Sequence, residues 1–316
     1  MKYSLQSWQA MGKPVSLLGQ DVFVVDSGGD GPCLLLLHGY PTAGWDFAEL
    51  WPALCERFRV IVPDLLGLGF SAKPCPHNYS IFEQADLVSA VLDHCQVTSC
   101  HMLAHDYGDT VAQELLARDN ERSLKRYLSA ALLNGGLFPE THRPRPMQKL
   151  MAGPLGPLLV HLTNRRKLLG TFCSVFGRDT QPSAETLEAV WQLVNHNRGL
   201  RCLPPLLGYI RERRLHRDRW VNALAETRAP LALINGSADP VSGAHMVVRF
   251  RELVGDQHFT YEMPGIGHYP HMEAPEETLS AYLSFVQPLL EGQTPAASPT
   301  GPLATPADTE EAGEVL

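Results

Sequence analysis

Short apolar runs return along this chain: DVFVVD at 21–26, CLLLL at 33–37, VIVP at 60–63, CHMLA at 100–104, YLSAALL at 127–133, LALI at 231–234 and HFTYEMP at 258–264. Runs of this length, rich in Val, Leu and Ile and bounded by Gly, Pro, Asn or Asp, predict β-strands. CLLLL and LALI show no polar alternation, as expected of strands buried on both faces of a mostly parallel sheet. Helically spaced segments such as TVAQELLAR at 110–118 lie between many of the runs, so the pattern predicts an α/β fold.

The alternation stops near Phe138. From 138 to 227 strand-like runs are missing, and Pro, Leu and Arg dominate segments such as MQKLMAGPLGPLLVHLTNRRKLLG and PPLLGYIRERRLHRDRW. Residues 138–227 are expected to form an inserted helical lid that divides the core into residues 1–137 and 228–288. The leucines at 203–207 and Trp220 are expected to turn apolar surface over a pocket, and the basic run at 211–219 to be a solvated helix face. Residues 289–316, dominated by Pro, Ala, Thr and acidic side chains, have the composition of a disordered tail.

With 316 residues, 44% of them hydrophobic, the chain can bury a sizeable core. Its 26 basic and 34 acidic residues give a formal charge of -8, which argues against a nucleic-acid-binding surface. MKYSLQSWQAMGKP lacks the continuous apolar stretch of a signal peptide, and CLLLL is too short to span a bilayer. A cytoplasmic protein without an integral membrane segment is therefore expected. Seven cysteines without a CxxC suit a reducing compartment, most of them as small core residues. No cofactor and no metal are expected.

Candidate chemistry begins at Ala104-His105-Asp106-Tyr107-Gly108, where a strand-like run meets a helical one. Small residue, any, nucleophile, any, Gly is the spacing of a nucleophile elbow, with Asp106 in place of the usual Ser. By itself the pentapeptide also suits a plain turn or N-cap aspartate. HGYP at 38–41 follows the buried run CLLLL, where the backbone N–H of Tyr40 would form one half of an oxyanion hole and that of Tyr107 the other. Asp239 follows the run LALI in a turn, and His268 follows the last strand-like run, so nucleophile, acid and His come in the chain order of the α/β-hydrolases. His271 competes with His268 for the base role, and Glu140 is the reserve acid. Asp109 and Asn134 are further polar residues at sheet edges.

AHDYGDTVAQELLAR, LLNGGLFPETHRP, LLGYIRERR and ALAETRAP closely resemble the mesoderm-specific transcript proteins, members of the epoxide hydrolase and haloalkane dehalogenase branch of the α/β-hydrolases, over roughly residues 20–287. The resemblance implies an eight-stranded, mostly parallel sheet with helices on both faces and a helical lid inserted after strand six. The vertebrate proteins carry hydrophobic membrane segments; the N-terminus here has none, and membrane attachment is not carried over.

A carboxylate nucleophile suits displacement at an sp³ carbon, giving an alkyl-enzyme ester. His268, held by Asp239, would then activate the water that hydrolyses it. An epoxide oxygen leaves as an alkoxide and needs a proton donor; lid tyrosines supply it in the epoxide hydrolases resembled, and Tyr209 is the only tyrosine of the inserted region. The usual second tyrosine is missing, with His196 a possible substitute. A halide needs N–H donors instead, commonly a Trp directly after the nucleophile, where this chain has Tyr107; Trp45 or Trp191 would have to contribute. A small hydrophobic epoxide is the leading substrate, a haloalkane the alternative, and a hydrolase-fold ligand-binding protein with little turnover the reading outside enzymes.

Overall fold

The structure, a computed structural model, describes residues 2–123, 125–153, 156–160 and 163–297. Eight strands, β1 Lys13–Leu17, β2 Gln20–Asp26, β3 Cys33–Leu37, β4 Arg59–Pro63, β5 Cys100–His105, β6 Tyr127–Leu133, β7 Leu231–Gly236 and β8 Phe259–Met263, form one sheet in the order β1-β2-β4-β3-β5-β6-β7-β8. The first two pairings are antiparallel and the other five parallel. This is the α/β-hydrolase fold expected from the sequence.

Seven of the eight strands coincide with apolar runs. The exception is β1, KPVSL, which has a single buried side chain and lies at the sheet edge. An edge strand covered on one side carries too few apolar residues to stand out, and it tolerates Pro14 because one side of its ladder needs no donors. The central strands are the opposite case. Leu34 to Leu37 are fully buried, and every residue of β5 is covered. Each such leucine contributes about 1.5–3 kcal/mol by leaving water.

The helices are α1 Leu5–Met11, α2 Trp51–Cys55, α3 Ile81–His94 and α4 Tyr107–Arg122 before β6, and α12 Ala244–Leu253, α13 Pro270–Glu273 and α14 Pro275–Leu290 after β7. Between β6 and β7 lie α5 Pro146–Met151, α6 Gly156–Leu159, α7 Arg165–Cys173, α8 Ala184–Asn195, α9 Leu203–Leu206, α10 Tyr209–Leu215 and α11 Arg217–Glu226, and no strand among the described residues. None of the described helices is long and apolar enough to cross a membrane.

Three expectations need correction. The helix α14 runs to Leu290, past the expected start of the tail, and the carbonyl of Ala297 accepts the Thr260 amide of edge strand β8 at 2.9 Å. Residues 298–316 lie outside the described residues. Trp220 does not face a pocket: its indole N–H is donated to Glu114 on α4 at 2.9 Å. The 211–219 run is a solvated face only in part: Arg211 and Arg214 are exposed, but Arg217 pairs with Glu140, Arg219 pairs with Glu114 and Glu121, and Arg213 is buried. The cysteines follow expectation: Cys100 and Cys202 are buried in the core, and Cys33, Cys55, Cys75 and Cys95 pack against it.

The elbow depends on how closely α4 approaches β3. A Cβ on Gly108 would stand 2.4 Å from the Leu37 carbonyl oxygen and 2.7 Å from its carbon, both backbone atoms that cannot swing away. Gly108→Ala is therefore expected to lower stability by about 1–3 kcal/mol, read from urea unfolding at constant m-value. An unchanged midpoint would show that the contact is not tight.

Candidate active site

The strand β5 ends at His105 and α4 begins at Tyr107, leaving Asp106 as the single residue of a sharp reversal. It has φ 48° and ψ -101°, a conformation that non-glycine residues rarely adopt and that persists only where the surroundings impose it. The reversal projects the carboxylate away from the sheet at the strand's carboxyl end. Asp106 is 3% exposed.

A carboxylate buried so deeply must be compensated. The Tyr40 amide donates to Oδ2 at 3.2 Å. That amide is itself aimed from behind: His38 accepts the Leu65 N–H on Nε2 at 2.8 Å, so its proton is on Nδ1, which donates to the Gly39 carbonyl at 2.8 Å. The Tyr107 amide opens α4, where the first N–H groups have no acceptor inside the helix.

His268 comes from the loop after β8. Its Nδ1 lies 2.7 Å from Asp239 Oδ2, and its Nε2 lies 3.9 Å from Asp106 Oδ2. Asp239, after β7, is fixed by the Val241 and Ser242 amides at 2.7 and 3.0 Å and by the Asn134 side chain at 3.0 Å. Asn134, at φ 46° just beyond β6, also bonds the Gly236 backbone, donating to its carbonyl and accepting its amide. His105 holds the opposite side of the loop through a bond from Nε2 to the His268 carbonyl at 2.8 Å. The ends of β5, β7 and β8 thus bring together Asp106, Asp239 and His268, the residues that the sequence marked as candidate nucleophile, acid and base, and Asn134, just beyond the intervening β6, braces Asp239.

The electrostatics follow from these contacts. Burial alone would raise the Asp106 carboxyl, but the His268 and Arg213 cations hold it well below the ordinary carboxylate range. Burial would lower His268, yet Asp239 and Asp106 together lift it to about 10. Asp109, on the first turn of α4, is raised far above its ordinary value by burial and by the Asp106 charge. Burial beside that charge favours its protonated form.

Arg213 and His142 were not among the residues singled out from the sequence. Arg213, from α10, is 2% exposed and reaches the back of the elbow: Nη2 donates to the Asp106 carbonyl at 3.0 Å and lies 3.8 Å from Oδ1, while Nε donates to Thr110 at 2.7 Å. Its Nη1 lies 3.4 Å from Nδ1 of His142, from the loop after β6. Only the i, i+4 spacing of Tyr209 and Arg213 hinted that one arginine of the basic run shares a face with an aromatic; the guanidinium sits 4.5 Å above that ring.

A cavity of about 200 Å³ is lined by Asp106 with Tyr40, His142, His268 and Tyr269, by apolar side chains that include Leu168, Phe172, Leu203 and Leu207, and by polar ones that include Arg145, Gln148 and Lys167. Tyr209 is not on that wall. Its ring packs 6.4 Å from Tyr40 and 5.0 Å from Tyr107, and its hydroxyl is buried without a partner among the described residues. Trp45, Trp191 and His196 do not reach the cavity either: Trp45 donates to the Tyr3 carbonyl at 3.0 Å, Trp191 packs against the core, and His196 meets Phe70 edge-on at 5.0 Å. Their hydrogen-bonding groups and aromatic bulk serve packing. Glu140, paired with Arg217 and Arg249, is drawn down to about 2, mainly by the Arg217 hydrogen bond. His271 is buried against Phe47 at 4.8 Å. With Asp46 and His105 it offers ligand atoms within 4.8 Å of one another, a set able to hold a cation, but none of the three lines the cavity.

The chain belongs to the alpha/beta hydrolase family, whose sequence profile matches residues 34–281. It is 41% identical over 294 residues to the mesoderm-specific transcript homolog protein of Homo sapiens, covering 90% of this chain and 88% of that one. Among solved structures it is similar to haloalkane dehalogenase DbeA from Bradyrhizobium elkani USDA94, with a TM-score of 0.74 and 20% identity over 89% of this chain and 99% of that one. It is also similar to epoxide hydrolase CorEH, with a TM-score of 0.70 and 22% identity over 88% and 99%. At such identities the two structures speak for the fold alone.

A raised histidine pKa stabilises the folded state below the unfolded value, 6.5, and that stabilisation is lost as pH climbs through about 10. The urea midpoint of the wild type should accordingly fall more steeply across this window than that of His268→Gln. Parallel curves would show that His268 is not held as a cation.

Proposed function

We propose that this protein is a hydrolase in which Asp106 attacks an apolar epoxide, forming an alkyl-enzyme ester that is hydrolysed to a vicinal diol. The observation that carries this reading is the carboxylate itself: ionised, strained at the elbow, bound through Oδ2 by the Tyr40 amide, and facing an apolar cavity across from His268. Oδ1 is the oxygen left for displacement. An ionised carboxylate needs no base to make it nucleophilic, so His268 serves the second half of the reaction.

The protons balance within the pair. Before reaction Asp106 is an anion and His268 a cation. Asp106 opens the ring, the carbon–oxygen bond breaks toward oxygen, and the alkoxide, far more basic than imidazole, takes the His268 proton. Esterification also removes the negative charge beside His268, one of the two that kept it protonated. Neutral His268 then accepts a proton from the water that attacks the Asp106 carboxyl carbon. Tyr40, joined by Tyr107, stabilises the resulting oxyanion, at about 3–4 kcal/mol per donor. Collapse of that intermediate releases the diol and restores the ion pair.

The lid formed by residues 138–227 supplies the apolar side of the cavity, which suits a hydrophobic substrate and limits bulk water. Haloalkane dehalogenation is the weaker reading because none of the chain's five tryptophans lines the cavity to offer a halide an indole N–H. A ligand-binding protein with little turnover would have no use for the strained elbow.

In His268→Gln the alkoxide has to take its proton from water, so the first step slows, while the second stalls for want of a base; a bromoalkane, whose halide leaves without a proton, is spared the first effect. Intact mass after incubation with styrene oxide should show one added epoxide, oxygen included, located on Asp106 by peptide mapping; a bromoalkane would add only its alkyl group. A folded protein that takes up neither reagent would refute the aspartate-nucleophile reading.

The same proton cycle sets a pH order. Hydrolysis of the preformed ester should titrate at a pH well below the resting His268 value of about 10, because the neighbouring charge has gone. Stopped-flow single turnovers across pH measure it, and an ester hydrolysis titrating at the resting value would contradict the cycle.

A further inference from the structure

His142 lies on the cavity wall with Asp106 and His268, yet the reaction as described gives it no part. Its ring state is fixed by its neighbour. A guanidinium only donates, so Nδ1 accepts from Arg213 Nη1 at 3.4 Å and the ring proton is on Nε2. Burial, then the Arg213 charge, lowers the imidazole to about 3, so a second proton is refused and the ring remains a neutral donor throughout the working pH range.

That Nε2 has no partner among the described residues, although the side chain is 8% exposed. A buried polar group without a hydrogen bond is costly, and a polar atom of a bound substrate would relieve it. The chain is also left bare where the two side chains meet: a Cβ on Gly136 would stand 2.2 Å from Arg213 Nη1 and 2.4 Å from His142 Nδ1. Arg213 simultaneously grips the Asp106 carbonyl at 3.0 Å, so one buried cation sets both the nucleophile and the imidazole.

We propose that His142, held as its Nε2–H tautomer by Arg213, is the hydrogen-bond donor to the atom that Asp106 displaces from the substrate. This rests on the alkyl-enzyme reading above. As the Asp106 Oδ1–carbon bond forms, the breaking carbon–oxygen bond leaves its electron pair on the epoxide oxygen. That oxygen accepts the His142 N–H bond until the His268 proton reaches it. His142 thereby takes the place at the leaving atom that the sequence suggested for Tyr209.

The test is single-turnover alkylation of Asp106, followed by intact mass in the full-length protein carrying His268→Gln, where the ester accumulates. Styrene oxide is the probe, and His142→Phe, His142→Gln or Tyr209→Phe is added to that background. His142→Phe should slow alkylation by about tenfold or more. His142→Gln, whose amide can accept from Arg213 and still donate, should keep most of the rate, and Tyr209→Phe should lose less than His142→Phe. A trifluoromethyl-substituted epoxide yields a less basic alkoxide that leans less on a donor, so the His142→Phe penalty should shrink with it; a packing role would give equal penalties. If the His268→Gln parent takes up neither styrene oxide nor a bromoalkane, which needs no proton, the aspartate-nucleophile reading fails and this proposal with it; uptake of the bromoalkane alone would overturn only the donor role of His142 at the epoxide oxygen. If the parent is alkylated, then parental rates in His142→Phe, a larger loss in Tyr209→Phe, or equal penalties with both epoxides would overturn the role of His142 alone.

Discussion

The constraint on which the site depends is that a carboxylate at the carboxyl end of a buried strand must stay charged while almost no water reaches it. Burial favours the protonated acid, so the fold has to supply compensation from fixed atoms. It does so from separate directions: the Tyr40 amide beyond β3, the Arg213 guanidinium from the helices between β6 and β7, and the His268 imidazole beyond β8. Each is anchored in turn, Tyr40 through His38, Arg213 through Thr110, and His268 through Asp239 and His105. These anchors hold the Asp106 carboxylate in its charged form, whereas the neighbouring Asp109 carboxyl, buried beside the same negative charge without a cation in hydrogen-bond reach, is pushed toward its protonated form.

Most of the framework was legible because it depends on patterns that survive in one dimension. Fully buried parallel strands must be continuous apolar runs, and an elbow needs small residues around its apex, so β3, β5 and β7 and the Asp106 turn were visible. Asp239 and His268 were visible because they follow such runs. Edge strand β1 was not, since an element covered on one side carries little apolar signal. The residues between β6 and β7 were legible only as a composition. Their short helices pack according to which face turns inward, and a one-residue rotation decides whether an arginine meets solvent or a buried carboxylate. That is why Arg213 was grouped with its solvated neighbours, and why Trp45, Trp191, His196 and Tyr209 were plausible by type yet are held elsewhere or behind the wall.

The motif NGGLFPETHRP, which carries much of the resemblance to the mesoderm-specific transcript proteins, has a physical reading in this setting. Asn134 at positive φ braces Asp239; Gly135 leaves room for Asp109, whose carboxyl a Cβ would meet at 2.0 Å; Gly136 leaves room for Arg213; and His142 follows on the cavity wall. The stretch links the support of Asp239, the Arg213 guanidinium behind Asp106 and the cavity in nine residues, 134–142.

The central claim is that the oxygen added to the substrate comes from Asp106 and is replaced there by water. One turnover of excess protein on an epoxide in heavy-oxygen water tests it directly. The account predicts that the label appears in the peptide containing Asp106 and that the first diol carries none of it. Label found in the first diol, with an unlabelled Asp106 peptide, would mean that water attacks the substrate itself, and the covalent mechanism would be wrong.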